Sequence, residues 1–304
     1  MTTRPARLRA GDTVAVVAPS GPLKAPLLER GVRLLEGLGL KVVIGQHALE
    51  HDGFLAGPDA ARAADLQAAW CDPAVTAVFC ARGGYGAARL LGLLDWAAMR
   101  AAGPKTLIGS SDITALHQVF AAELGVATLH GPMPAGQLIG GEGGPEPVTW
   151  SALRAALFGE PEPEPVAGDR VLVPGRAEGE LTGGNLSLLA SLCGTRYQPS
   201  FAGKIALLEE IGEVPYRIDR MLTQLLQSGA FEGVRGLVLG SWVNCGDPLP
   251  VLTERLVPLG VPTLAGLAVG HGSPQMSVWL GALGVIDTES CSLAGRFRDS
   301  EQAS

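Results

Sequence analysis

A serine stands where a buried strand is predicted to meet a helix. The segment TLIGSSDITALH runs from an apolar strand that ends at Gly109 into a helix that begins at about Asp112, with Ser111 between them. A side chain on such a turn is pushed out over the sheet edge, and the N–H of Asp112 can face the group that Ser111 attacks. The match to G-x-S-x-G is partial, because Ile113 replaces its last glycine. Ser110 or Ser111 could instead cap the helix, and spacing alone leaves both interpretations open.

A second strand-to-helix junction is rich in glycine. The segment ARGGYGAARLL, residues 81–91, contains three glycines whose backbone N–H groups could surround an anion. It is a weak dinucleotide fingerprint, because G-x-G-x-x-G from Gly84 would need glycine where Arg89 stands. An oxyanion-binding loop is more attractive, since this loop and Ser111 are predicted at the same sheet edge. A tight turn that requires glycine is the alternative.

Several residues could supply the histidine that acts as a general base and the carboxylate that orients it. In LLEEIGEVPYRIDRML, Glu209 ends an apolar strand and Glu210 and Glu213 follow it. A carboxylate at a strand end can orient an imidazole, but three close glutamates are also typical of a solvated loop, and periodicity does not rank them. His130 and His271 both end apolar runs beside a glycine. Either histidine could be a general base.

The other histidines and the cysteines do not predict a metal site. His47 and His51 have i, i+4 spacing but lie in a glycine-flanked segment, and His117 is inside a predicted helix, where packing is expected. The five cysteines are odd in number, far apart and never in C-x-x-C. This usage argues against a disulfide framework or a zinc site and fits a reducing cytoplasm. We therefore expect no metal site.

The first half of the chain alternates strands and helices. Apolar helical periodicity covers about 27–38, 87–99 and 112–124. Apolar strands separated by helices indicate a parallel sheet covered on both faces, which binds ligands at the carboxyl ends of its strands. The predicted strands are Thr13–Ala18, Lys41–Ile44, Thr76–Ala81, Thr106–Gly109 and Val126–His130.

A change in composition predicts two domains. Between about Gly136 and Gly168 the chain is rich in Gly, Glu and Pro, with one short helical pattern from Ser151 to Leu157. Such a segment favours an extended connector. We therefore predict an α/β domain over 1–140, a linker over 141–170 and a second, smaller domain over 171–304. In the second domain we expect a helix from Tyr216 to Gln227 and strands at Glu178–Gly183, Lys204–Glu209, Arg235–Trp242 and within Met276–Leu293.

Composition and charge exclude several classes of function. With 47% apolar and 17% charged residues, the 304-residue chain is not of the disordered type. Its net charge of −7 and lack of a basic run argue against a nucleic-acid partner. The apolar run Thr13–Ala18 stops at Pro19, too short for a secretory or membrane-spanning segment. We expect a cytoplasmic protein with a small-molecule or peptide substrate and no membrane partner.

Seven sequence blocks together resemble the LD-carboxypeptidase family, the muramoyl-tetrapeptide carboxypeptidases. The similarity runs from Gly11 to about Gly284, and the blocks are specific as an ordered set although each alone is weak. In order they are GDTVAVVAPSGP, ARGGYGAARLL, IGSSDITALH, LHGPM, LTGGNLSLLASLCG, LLEEIGEVPYRIDRML and GLAVGHG.

The resemblance implies a serine peptidase with a Ser–His–Glu triad, which needs no metal and no cofactor. The matching residues are Ser111, His271 and Glu209, the first glutamate of its block. The implied oxyanion donors are the backbone N–H groups of Asp112 and of a loop glycine, which we expect to be Gly84. The implied fold is a Rossmann-like N-terminal domain that contributes the serine and a smaller β-rich C-terminal domain that contributes Glu209 and His271. A homodimer is implied in the same way.

The activity implied is hydrolysis of the L,D amide bond that joins terminal D-alanine to murein tetrapeptides, in cell-wall recycling. A hydrolase like the microcin C immunity proteins, which act on peptidyl or aminoacyl nucleotides, is the alternative. A non-catalytic nucleotide-binding protein is a more distant one. For the substrate's terminal carboxylate, Arg82 is the candidate partner because it ends its strand beside the glycine loop. Arg82 could instead pair with a carboxylate of its own chain, such as Asp112.

Overall fold

The computed structural model describes residues 2–159 and 164–297. The helices, in chain order, are α1 (Ala25–Glu36), α2 (Asp59–Cys71), α3 (Trp96–Ala101), α4 (Thr114–Leu124), α5 (Gln137–Gly140), α6 (Pro147–Phe158), α7 (Leu186–Ser191), α8 (Pro215–Gln227) and α9 (Leu249–Leu256). The strands are β1 (Thr13–Val17), β2 (Lys41–Ile44), β3 (Val75–Cys80), β4 (Thr106–Gly109), β5 (Thr128–His130), β6 (Val166–Ala167), β7 (Arg170–Val173), β8 (Arg176–Asn185), β9 (Lys204–Ile211), β10 (Gly236–Val243), β11 (Thr263–Ala265), β12 (Val278–Leu280), β13 (Leu283–Asp287) and β14 (Ser292–Arg296).

The first sheet has the order β12-β5-β4-β3-β1-β2, and β1 to β5 are parallel. The five predicted strands and the α/β class are confirmed. The order 2-1-3-4-5 is the flavodoxin-type variant of the doubly wound fold, whose ligand crevice lies between the carboxyl ends of β1 and β3. Gly21, after β1, donates its N–H to the carbonyl of Gly83, after β3, at 3.3 Å. The glycine loop, residues 82–86, therefore lies at this crevice.

The strands of the first sheet differ in burial according to their position. β4 is buried throughout, as expected of a central strand with helices on both faces. β2 is an edge strand, and Val43 and Ile44 are exposed. Its apolar sequence predicted a strand covered on both faces. That prediction is wrong because β2 lies at the sheet edge, where Val42 packs against the core beside α1 and the other three side chains of the strand are exposed.

The second sheet has eight strands in the order β6-β14-β13-β8-β9-β10-β11-β7. Its central strands β8 to β11 are parallel, so their carboxyl ends meet at one edge. The sheet and helix α8 are confirmed where they were predicted. Helices α7, α8 and α9 bury apolar side chains of one core, which includes Leu189, Leu222 and Leu252.

Strand β12 departs from the expected partition. It belongs to the C-terminal half of the sequence but pairs antiparallel with β5, with Val278 opposite His130. The segment Met276–Leu293 was predicted to lie wholly in the second domain. That prediction is wrong for β12, which belongs to the first sheet. Hydrogen-bond partners at a sheet edge depend on tertiary contacts, which local apolar periodicity does not encode.

The helix predicted over residues 87–99 is also wrong. A four-residue 3₁₀ turn, Ala87–Leu90, is followed by a loop and then by α3. The Asp95 carboxylate accepts a hydrogen bond from Ala98 N at 3.0 Å, which caps α3 and starts a separate helix there. Helix α2 precedes β3 in the chain and packs against β1 and β3. The apolar pattern did not predict this helix.

The predicted linker, residues 141–170, contains helix α6, which packs Leu153 and Leu157 into the core on one face of the first sheet. Part of its Glu–Pro run, residues 160–163, lies outside the described residues. The division at this segment remains a prediction. Within the described ranges, no helix is long and apolar enough to span a bilayer.

Candidate active site

Ser111 occupies a strained turn at the carboxyl end of β4. Its φ of 62° is in the left-handed region, which costs a non-glycine residue about 1–3 kcal/mol. The residue opens a 3₁₀ turn, Ser111–Ile113, that leads into α4. In the described structure neither Ser110 nor Ser111 makes a side-chain capping bond. The capping alternative therefore lacks its hydrogen bond, and the strain is of the kind that proteins keep at functional turns.

The glycine loop lies directly against Ser111. A Cβ atom added to Gly83 would be 2.8 Å from Ser111 Cβ and 3.1 Å from Ser111 Oγ. Gly84 has φ of 123°, and a Cβ there would meet the backbone of Gly21 at 3.1 Å. The two interpretations of this segment, a tight turn that requires glycine and a loop that lies beside Ser111, are therefore compatible with each other.

Two backbone N–H groups near Ser111 are free to bind an anion. The carbonyl of Gly83 accepts hydrogen bonds from Gly21 N and Arg82 Nε, at 3.3 and 3.1 Å. Because the C=O and N–H of a trans peptide point in opposite directions, Gly84 N–H points away from those two donors. Across the described ranges, no acceptor pairs with the N–H of Gly84 or of Asp112.

Arg82 is held by carbonyl groups. It donates to Pro22 O at 2.6 Å and to Gly83 O at 3.1 Å. The alternative that it pairs with Asp112 is wrong, because the Asp112 carboxylate accepts from Ser20 and Ala87 instead. The guanidinium of Arg82 is thus fixed at the edge of the crevice without a partner carboxylate among the described residues.

Glu209 and His271 form a hydrogen-bonded pair. The Nδ1 atom of His271 is 2.7 Å from Oε2 of Glu209, which also accepts the His271 backbone N–H at 3.2 Å. Gly270, with φ of 110°, lets the two approach, since a Cβ there would be 2.4 Å from Glu209 Oε2. Burial disfavours the charged imidazole, but the hydrogen bond and the negative charge of Glu209 outweigh it and raise the pKa of His271.

The three glutamates have three different environments. Glu209 and Glu210 are consecutive in β9 and so point to opposite faces. Glu210 is buried, and its oxygens accept from Asn185 Nδ2, Ser187 N and Ile211 N, each at 2.8 Å. Glu213 lies 3.4 Å from Arg217 near the surface. The solvated-loop interpretation is wrong for Glu209 and Glu210, which lie within a strand.

The other histidines have no carboxylate partner at the site. His130 is fully buried, and within the described structure its two ring nitrogens have no hydrogen-bond partner. Burial is the main cause that lowers its pKa to about 3. His117 bonds to Thr128 Oγ1 and Gly109 O, which is the structural role expected for it. Of the two candidate bases, the Glu209 carboxylate therefore favours His271.

Contacts between the two sheets bring these groups to one region. Thr114, three residues after Ser111, accepts the N–H of Asn185 at 2.9 Å, and Asn185 is the register partner of Glu209. The His271 loop continues into β12 at the end of β5. Ser111 Oγ makes no hydrogen bond within the described structure, and such contacts are often long in the absence of substrate.

The side chains at this edge suit acyl transfer better than nucleotide binding. The glycine loop leads into a 3₁₀ turn of four residues, so it lacks the long helix whose N-terminus binds phosphate. Arg89 pairs with Asp59 at 2.8 Å. In the described ranges no group of three or more His, Cys, Asp or Glu is arranged to hold a metal ion, and His47 bonds to Asp65 at 2.8 Å.

Sequence comparison connects this arrangement to characterised proteins. The family model described as the LD-carboxypeptidase N-terminal domain matches residues 14–131, and that of the LD-carboxypeptidase C-terminal domain matches residues 178–286. A Streptomyces coelicolor protein that bears the name "Putative carboxypeptidase SCO6489" is 51% identical, and the match covers 95% of each chain. The murein tetrapeptide carboxypeptidase of Pseudomonas aeruginosa is 35% identical over 88% of this chain and 90% of its own.

Solved structures show the same fold. The microcin C7 self-immunity protein MccF, in complex with aspartyl sulfamoyl adenosine, is 26% identical, covers 97% of this chain and 98% of its own, and has a TM-score of 0.86. A muramoyltetrapeptide carboxypeptidase from Oxalobacter formigenes is 28% identical, covers 94% of this chain and 100% of its own, and has a TM-score of 0.83.

Proposed function

Because the chain belongs to the LD-carboxypeptidase family, we propose that it is a serine-type carboxypeptidase that releases terminal D-alanine from murein tetrapeptides. The observation that carries the proposal is the bond between Glu209 and His271, across the site from a strained Ser111 beside two free N–H groups. Relatives and structural neighbours that bear this name support the choice of substrate. The tripeptide product would re-enter cell-wall recycling in the cytoplasm, and the family resemblance implies a homodimer.

The proposed mechanism follows from the groups at the site. His271 takes the proton of Ser111 as Oγ attacks the carbonyl carbon of the L,D amide bond. The N–H groups of Gly84 and Asp112 bind the oxyanion, and Glu209 stabilises the imidazolium. His271 then gives the proton to the leaving D-alanine amine. A water molecule, activated by the same histidine, hydrolyses the acyl-enzyme and restores Ser111.

The direct test is an assay of murein tetrapeptide in which tripeptide and D-alanine are identified by mass spectrometry. The second candidate substrate, an aminoacyl sulfamoyl-adenosine, is assayed in parallel because the MccF complex has the same fold. Release of D-alanine with a higher kcat/KM than hydrolysis of the nucleotide supports the proposal. The reverse order would make the protein an immunity-type hydrolase.

The acid limb of the pH profile of kcat/KM is expected above the ordinary histidine value of 6.5. His271 must be neutral to accept a proton, and its pKa is raised, so activity falls as the pH drops through that raised value. Replacement of Glu209 by Gln removes the main partner of the imidazolium, so the residual activity should show this limb at lower pH. Profiles of both proteins test this, and identical acid limbs would exclude His271 as the base.

The Arg82→Met variant is expected to raise KM strongly for the tetrapeptide. The guanidinium is fixed at the crevice by Pro22 O and Gly83 O, where it could bind the substrate's terminal carboxylate. The matched control is the tetrapeptide with that carboxylate amidated, for which KM should change much less. A loss of equal size on both substrates would show that Arg82 only supports the loop.

A further inference from the structure

We infer that the side chains of Asp112 and Arg62 are positioning residues that fix the glycine loop against Ser111. The inference rests on the proposed function, in which that loop supplies an oxyanion donor. Neither side chain contacts the substrate in this scheme. Both act by fixing the backbone that does.

The Asp112 carboxylate joins three loops at the carboxyl edge of the first sheet. It is 1% exposed, and its Oδ2 accepts Ser20 Oγ at 2.6 Å and Ala87 N at 2.8 Å. Ser20 follows β1, Ala87 directly follows the glycine loop after β3, and Asp112 follows β4. One carboxylate therefore sets the spacing between the loop and the turn that contains Ser111.

Arg62 holds the same loop through a second set of hydrogen bonds. It lies on α2, is 1% exposed and donates to the carbonyls of Pro19 and Gly86, the latter at 3.1 Å. It also donates to Gly57 O at 3.1 Å and to Asp59. Because an arginine has five N–H donors in a planar group, one side chain can fix several carbonyls at once.

Gly86 is shaped around this contact. Its φ is 125°, and a Cβ there would be 2.8 Å from Arg62 Nη1 and 2.6 Å from Leu55 Cδ2. The third glycine of the loop therefore admits the guanidinium, whereas Gly83 admits Ser111. At both positions a close contact that fixes the loop leaves no room for a side chain, so glycine is required there.

The position of Asp112 in the chain gives its carboxylate a direct effect on the oxyanion site. Its backbone N–H is one proposed oxyanion donor, and its side chain fixes the loop that contains the other. A shift of either donor weakens a bond that forms fully only in the transition state. Loss of the Asp112 side chain should therefore lower kcat much more than it changes KM.

The two oxygens of the Asp112 carboxylate differ in their hydrogen bonding, because Oδ2 accepts both of the bonds described above. Within the described structure, Oδ1 is buried and has no hydrogen-bond partner. An Asn side chain could keep its oxygen at the Oδ2 position and place its amide group at the other. Asp112→Asn therefore preserves both hydrogen bonds and is the conservative variant, although its buried NH2 group lacks an acceptor and should lower Tm. Asp112→Ala removes both hydrogen bonds.

The test compares Asp112→Ala, Asp112→Asn and Ser20→Ala, with Asp95→Ala as control. Asp95 is an exposed residue that caps α3, and it makes no hydrogen bond to the glycine loop or to the Ser111 turn within the described structure. For each variant we measure Tm, kcat and KM. We also measure the rate at which Ser111 Oγ attacks the phosphorus of an alkyl fluorophosphonate, which forms an O–P bond and releases fluoride and the serine proton. Asp112→Ala should lose on the order of 10²-fold in kcat, as for a lost oxyanion donor, with KM little changed and phosphonylation slowed in parallel. Asp112→Asn should restore most of this loss, and Ser20→Ala should be intermediate.

A folded Asp112→Ala with the wild-type kcat and phosphonylation rate would overturn the inference. If that variant does not fold, Ser20→Ala decides: a reduced kcat at unchanged Tm supports the inference, and an unchanged kcat overturns it. A Ser111→Ala protein is measured beside them. If it retains turnover, the proposed function itself fails. If it is inactive while the Asp112 and Ser20 variants are normal, only the positioning role fails.

Discussion

A Ser111→Ala protein is expected to fold and to lose nearly all hydrolysis of murein tetrapeptide. Without Oγ no acyl-enzyme can form, and kcat should fall by about 10⁴–10⁶-fold, as when a catalytic triad loses its nucleophile. Stability should change little, because Ser111 Oγ makes no hydrogen bond within the described structure. The measurements are kcat by D-alanine release and Tm by calorimetry.

Ser110→Ala is the matched control for this variant. Ser110 precedes Ser111 in extended conformation, and its side chain makes no capping bond in the described structure. We expect it to retain hydrolysis. Near-normal turnover in a folded Ser111→Ala protein would reject this serine as the nucleophile.

The second large effect is expected for Glu209→Gln. The amide can still meet Nδ1 of His271, but it cannot stabilise the imidazolium that forms as Ser111 attacks, and it disfavours the tautomer that leaves Nε2 free. A loss on the order of 10⁴-fold in kcat is typical when such a carboxylate becomes an amide. The measurement is kcat at a pH well above the acid limb.

Glu210→Gln and Glu213→Gln are the controls. Glu210 accepts three hydrogen bonds on the other face of β9, so its amide should cost about 1–3 kcal/mol of unfolding free energy with a much smaller loss of kcat in the folded protein. Glu213 lies near the surface beside Arg217, and its variant should resemble wild type. Equal losses of activity in all three variants would mean that this segment has only a structural role.

The part of the site that follows from local sequence is the part at parallel strand ends. Ser111 and the glycine loop each follow an apolar strand and precede a turn, so a parallel sheet places them at one edge. The glutamates were different. The run EEIGE looks polar and loop-like, although Glu209 and Glu210 both lie inside β9. Only their partners on the two faces of the strand distinguish them.

Sequence patterns also missed the residues that fix the glycine loop. Arg62 is 24 residues from Gly86 and Ser20 is 92 residues from Asp112 along the chain. A buried arginine that bonds to carbonyls has no periodicity or motif that marks it, because its partners are set by where α2 packs. The pairing of β12 with β5 was missed for the same reason, since it depends on the return path of the chain.

The late arrival of β12 has a consequence for biosynthesis. A ribosome releases the chain from its N-terminus, so domains begin to fold before synthesis ends. Until Val278–Leu280 emerges, β5 remains an unpaired strand edge of the kind that invites association with other chains. The nascent protein therefore passes through an association-prone stage that ends when β12 completes the first sheet.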